Sequence, residues 1–181
     1  MFSQVILSKF SIANHFLAIQ KPHRIRTVVQ EVIDKSYPWG YFDGVAEGDL
    51  IVCGVVALLY LDEGHYFQIR WGFKEGTNNK AELLALYMLM ILAHENGVQK
   101  MQIFGDSMVI INWISQTQRC HNIHLIPILE EAAQLKTTFN QISFTHIFKE
   151  QNEEANKCSK DVAGPLLLAW KIEEQGPNEG Y

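Results

Sequence analysis

The hydrophobic period changes once along this chain, and that change constrains the fold more than any other feature. Residues 39–46, 51–61 and 65–71 read as three strands. Asp62-Glu63-Gly64 joins the second to the third as a hairpin turn. Phe67, Ile69 and Trp71 alternate with Tyr66, Gln68 and Arg70, the two-residue period of a strand. The second run is aliphatic throughout, as a strand buried on both faces requires. Then the period becomes helical. Thr77 or Asn78 can cap a helix running to about Glu95, where Asn96-Gly97 ends it. This helix is apolar nearly all round, so it belongs at the centre of the domain. A strand at 100–104, a helix at 107–116, a helix at 121–136 interrupted near Pro127, a strand at 141–148 and a helix at 152–162 follow. The order βββαβααβα predicts an α/β domain: a mixed five-stranded sheet with helices on both faces.

We place that domain at 38–163, after an N-terminal extension (1–37) and before a polar C-terminal tail (164–181) that starts with the helix-breaking Gly164-Pro165. The longest apolar run, 83–93, is eleven residues. A membrane span needs about 20, so no membrane partner is expected. No secretory signal is visible at the start, and Cys53, Cys120 and Cys158 are scattered without a CxxC pair. An intracellular, reducing location, cytoplasm or nucleus, is expected, without disulfides or a zinc site. Net charge is −5, unevenly spread: residues 1–40 carry five Lys/Arg against two acids, and the remainder ten against eighteen. Such a chain binds a polyanion only through local basic patches or bound metal ions.

Three acids end or open these elements. Asp43 lies on the first strand before Gly44, Glu82 in the first turns of the central helix, and Asp106 after the fourth strand. In a mixed sheet the first and fourth strands can be neighbours, with the central helix crossing between them. All three carboxylates then converge. Any one of them alone is an ordinary surface acid. Converging, they repel, by about 4 kcal/mol per pair at about 4 Å and an effective dielectric near 20. Oxygen-only ligands select hard ions, Mg²⁺ or Mn²⁺. Two such ions roughly 3.5–4 Å apart are the usual machinery for attack of water on a phosphodiester.

The motifs Tyr-Phe-Asp-Gly (41–44), Thr-Asn-Asn-Lys-Ala-Glu-Leu (77–83), Phe-Gly-Asp-Ser (104–107) and His-Ile-Phe-Lys-Glu-Gln-Asn-Glu-Glu-Ala-Asn (146–156) resemble type 1 ribonuclease H, most closely the domains of plant retroelements. The resemblance covers about residues 38–163. It implies the ribonuclease H-like fold and endonucleolytic cleavage of the RNA strand of an RNA–DNA hybrid with two Mg²⁺, Mn²⁺ being a possible substitute. On it, Asp43 matches the acid shared by both metals, and Glu82 and Asp106 match the next two acidic ligands. Gly44, Thr77, Asn78, Asn79 and Ser107 fall where the family touches the hybrid. An amide or hydroxyl there can meet a ribose 2′-OH, which both donates and accepts, although Asn78-Asn79 also suits a plain turn and cap. His146 matches a histidine that assists proton transfer or product release. Lys149 and Asn152 share its loop and are placed to contact phosphate or the site. The expected partner is the hybrid and the expected state a monomer.

The chain departs from the family at Asn156, which stands where the fourth acid is usually Asp. An amide oxygen can ligate a metal without supplying charge, so weaker metal binding and reduced or Mn²⁺-dependent activity are expected. Asp161, five residues on, lies off that helix face. Met108 replaces a polar residue found in some members, and Gln116-Thr117-Gln118-Arg119 is too short for a basic handle. Two other readings stay open: a weakened or inactive module that binds nucleic acid or protein, which Asn156 and the acidic balance favour, and another phosphodiesterase such as a resolvase or exonuclease.

Overall fold

A computed structural model describes residues 33–47, 52–153, 155 and 170–176. All of them belong to one compact unit, Val32–Tyr181. Most of the N-terminal extension lies outside the described residues, as do Asn156 and Asp161.

The three-strand meander forms as its alternation requires. Strands β1 (Trp39–Glu47), β2 (Val52–Tyr60) and β3 (Tyr66–Lys74) pair antiparallel in sequence order. β2 is buried along its length except at its two ends, because both faces of the sheet are covered. β3 runs three residues further than its alternation suggested: Gly72, Phe73 and Lys74 stay paired with Gly54, Cys53 and Val52. Helix α1 (Asn78–Glu95) follows, with Thr77 Oγ1 accepting from the Lys80 N–H at 3.2 Å. It ends at Asn96, and Gly97 takes φ +71°, the left-handed turn that glycine adopts without cost.

Strand β4 (Lys100–Gly105) returns parallel to β1, and β5 (Gln141–His146) lies parallel to β4. Between them stand α2 (Met108–Ile114) and α3 (Ile126–Lys136). α2 stops two residues short of the expected end, where Gln116 turns to φ +60°. Pro127 starts α3 and does not interrupt it. Proline lacks an N–H, and the first helical positions are where that donor has no intrahelical partner anyway.

The sheet order is β5-β4-β1-β2-β3-β6. The sixth strand, β6 (Trp170–Gln175), lies where the sequence indicated a polar tail. It pairs antiparallel with β3, which would otherwise be the sheet edge. His65 Nε2 to Glu174 Oε1 (2.8 Å) and Tyr66 O–H to Gln175 Oε1 (2.7 Å) reinforce the pairing. One face of the sheet, with Phe42, Val55, Ala57, Leu59 and Ile103, packs under α1, α2 and α3. The other face presents Val56 and Leu58, against which Ala155 of the following helical segment packs.

Candidate metal centre

The parallel pairing of β1 with β4 brings Phe42 level with Gly105. The residue after each of these is an acid: Asp43 on β1 and Asp106 just past the end of β4. Asp43 is only 4% exposed and Asp106 half-buried. Glu82 arrives from the other side of the sheet, because the first turn of α1 lies directly on Gly44. A Cβ at Gly44 would sit 2.2 Å from both the Ala81 carbonyl carbon and the Glu82 nitrogen. Glycine is therefore required, and its own N–H donates to the Glu82 carboxylate. Gly105 serves the same purpose between strands: a Cβ there would fall 2.3 Å from the Phe42 ring.

Ligand oxygens of Asp43, Glu82 and Asp106 all lie within 4.8 Å of one another. Burial first, then the charges of Asp43 and Asp106, hold the Glu82 carboxyl well above the usual carboxylate range. The Gly44 N–H and the Lys149 ammonium oppose this. Glu82 Oε2 is fully buried and accepts no hydrogen bond among the described residues. A buried carboxylate oxygen without a partner, facing two more carboxylates, costs free energy that a cation would recover. The donor set is all oxygen, which suits Mg²⁺ or Mn²⁺. The residues present thus fit a divalent hard ion.

Several other expected residues cluster around this core. His146 ends β5 level with Gly105, one residue from Asp106. The 3-10 turn Lys149–Gln151 follows it. Phe148, expected inside β5, instead lies exposed before that turn, its ring edge-on to His146 at 6.0 Å between centroids. Nothing in the strand-like alternation signalled this. Asn152 is 2% exposed, and its side-chain amide donates to the Phe42 carbonyl and to Asp106 Oδ1, each at 3.0 Å. It thus touches the acid Asp106 directly and the backbone just before Asp43. Ser107 is half-buried at the start of α2, and its hydroxyl makes no capping bond.

The Thr77-Asn78-Asn79 motif divides by role. Thr77 caps α1. Asn78 Oδ1 accepts from the Ala46 N–H at 2.6 Å and so clamps the end of β1 to the helix start. Asn79 is exposed.

Known proteins share this fold. A family model described as reverse transcriptase-like matches residues 42–162. The uncharacterized protein YpeP of Bacillus subtilis is 29% identical over 133 residues, covering 67% of this chain; the chain spans 57% of that relative's length. Among solved structures, the RNase H1 of the halophilic archaeon Halobacterium salinarum is similar with a TM-score of 0.64 and 24% identity, covering 70% of this chain and 96% of that one. The N-terminal RNase H domain of a Mycobacterium tuberculosis protein gives a TM-score of 0.65 and 18% identity, covering 70% and 93%. LC11-RNase H1, isolated from compost by a metagenomic approach and solved in complex with an RNA/DNA hybrid, gives 0.64 and 20%, covering 70% and 96%. These likenesses establish a ribonuclease H-like fold. With the family model matched across about two thirds of its length, the chain belongs to the reverse transcriptase-like family.

Proposed function

We propose that this chain is a metal-dependent endonuclease that hydrolyses the RNA strand of RNA–DNA hybrids by a two-metal-ion mechanism, with 38–163 as the working domain. The observation that carries this reading is the buried Glu82 Oε2, without a hydrogen-bond partner among the described residues, beside Asp43 and Asp106. Asp43, Glu82 and Asp106 are the proposed ligands of Mg²⁺, or of Mn²⁺ in its place, with Asn156 as a neutral fourth. Bound there, the cations supply Lewis acidity at the scissile phosphate and lower the pKa of attacking water.

The chain's own residues do the rest. Positive charge held there would favour the ionised Glu82 carboxylate, against the burial and the two neighbouring acids that raise its pKa. His146, at the rim beside Asp106, is placed to move a proton at the leaving oxygen. Asn79 and Ser107 present an amide and a hydroxyl to the backbone of the hybrid, where a 2′-OH distinguishes RNA from DNA. Lys149 supplies positive charge toward phosphate. The hybrid seen with LC11-RNase H1 on the same fold supports this substrate.

Cleavage of a labelled RNA–DNA hybrid tests the proposal, in Mg²⁺ and in Mn²⁺, beside single- and double-stranded RNA, with Asp43→Asn as control. Hybrid-only cleavage that vanishes in the variant is expected. Silence with both metals overturns it. Asn156 favours one alternative, a weakened binding module. Under our reading Asn156→Asp raises Mg²⁺-supported activity over the wild type. Under the alternative both proteins bind the hybrid and neither cleaves it.

A further inference from the structure

We propose that Asn152 is a positioning residue for the metal centre, fixing the Asp106 carboxylate against the strand that carries Asp43. This inference rests on the nuclease reading above. Asn152 is separated from Phe42 by 110 residues and from Asp106 by 46, yet one nitrogen bonds to both. Its Nδ2 carries two hydrogens. One goes to the Phe42 carbonyl, on the residue just before Asp43, and one to Asp106 Oδ1.

The consequence is geometric. β1 and β4 are held together by their ladder as far as Phe42 and Gly105. Asp106 stands just past that point, and its carboxylate turns about two side-chain torsions. A donor at 3.0 Å from a buried side chain removes that freedom. The donor is neutral, so it orients the carboxylate without cancelling the charge a cation needs. A lysine here would neutralise Asp106, and a serine has a single O–H for two acceptors.

The same residue anchors the loop. The Asn152 backbone N–H donates to the Lys149 carbonyl at 3.1 Å and closes the 3-10 turn. The 3-10 turn that begins at Lys149 is thereby tied to Asp106 through a residue whose side chain is itself too buried to meet substrate. Asn152 borders a cavity of about 320 Å³, lined also by Trp39, Tyr41, Tyr60 and Ala155, which leaves room for a side chain of altered shape.

The test is Mn²⁺ binding by the full chain, followed by the loss of the free-ion electron paramagnetic resonance signal, with thermal melting in EDTA alongside. Asn152→Leu keeps the branching and the heavy-atom count of the side chain and removes both donors. Its expected Mn²⁺ affinity is about 10–100-fold weaker than wild type, the usual effect of removing a hydrogen bond to a metal ligand. Asn152→Ser, with one donor, is expected in between and serves if the leucine variant misfolds. Glu153→Gln, exposed in the same segment, is expected to bind as wild type. A purely structural role predicts lowered melting in EDTA with unchanged Mn²⁺ affinity, and that result overturns the proposal. If wild type cleaves hybrid and the Asn152 variants bind Mn²⁺ equally well, only this inference fails. If wild type neither binds Mn²⁺ nor cleaves, the nuclease reading fails and takes this inference with it.

Discussion

At Gly44 a single missing methyl group sets the spacing of the centre. The atoms a Cβ would meet are backbone atoms of Ala81 and Glu82, which cannot rotate away. Gly44→Ala therefore forces α1 off the strand. The expected cost is about 1–3 kcal/mol, typical of overpacking, read as a lowered denaturant midpoint, together with loss of Mn²⁺ binding. An unchanged midpoint would show that the helix start is softer than its contacts imply. Glu82 carries the second residue-scale prediction. Its carboxyl titrates higher in the folded chain than in the unfolded one, so the folded state holds the extra proton. Metal-free stability therefore falls as pH rises from the ordinary carboxylate range through that raised value. Glu82→Gln is expected to flatten this slope and raise the melting temperature in EDTA, while abolishing stabilisation by Mn²⁺. Parallel melting curves for the two proteins across pH would contradict it.

At the scale of elements, two ends matter. The start of α1 is held by the Thr77 cap and by the Asn78 clamp on Ala46. Thr77→Ala is expected to cost about 1 kcal/mol, as loss of an N-cap usually does, measured by chemical denaturation. A larger loss would mean that the cap also holds the strand. The other end is β6. It pairs with β3 over six residues, from Tyr66↔Gln175 to Trp71↔Trp170. A chain ended after residue 169 uncovers the N–H and C=O groups of β3. Unpaired edges recruit other edges, so lower stability and concentration-dependent self-association in sedimentation are expected. Mn²⁺ affinity stays unchanged, because β6 lies at the end of the sheet, with β2 and β3 between it and β1. Changed affinity would place β6 in the function and not only in the framework.

For the whole molecule, charge is the constraint. A net −5 repels a polyanion, so the acidic centre without cations opposes the hybrid it is proposed to cut. Hybrid affinity is expected to fall at least about tenfold when EDTA replaces Mg²⁺, measured at constant ionic strength with a non-cleavable hybrid, because each bound ion reverses charge at the contact point. Equal affinity in both conditions would mean that binding bypasses the three acids. Among the described residues, no helix is long and apolar enough to cross a membrane.

What depends on near neighbours in the chain was legible from the residues alone. The two-residue alternation gave the meander, Thr77 and Gly97 gave the ends of α1, and the order of elements gave the mixed sheet. It also singled out Asp43, Glu82 and Asp106, since each sits at an element end in a short motif. Element ends shifted where a distant partner intervened: β3 lengthened to follow β2, and 170–175 became a strand because β3 offered an unpaired edge. Pro127 was legible as a breaker, but whether it interrupts a helix or starts one depended on where Leu125 found the core. Asn152 shows the limit most plainly. An amide in that polar loop reads as a contact for phosphate or for the site, and only the packing of the loop behind β1 and β4 buries it against Asp106. The Glu82 oxygen without a hydrogen-bond partner among the described residues, and the burial that pushes its carboxyl up, likewise arise only in the tertiary structure. Burial and the repulsion of like charges depend on distance in space, and the chain order of three acids states no distance.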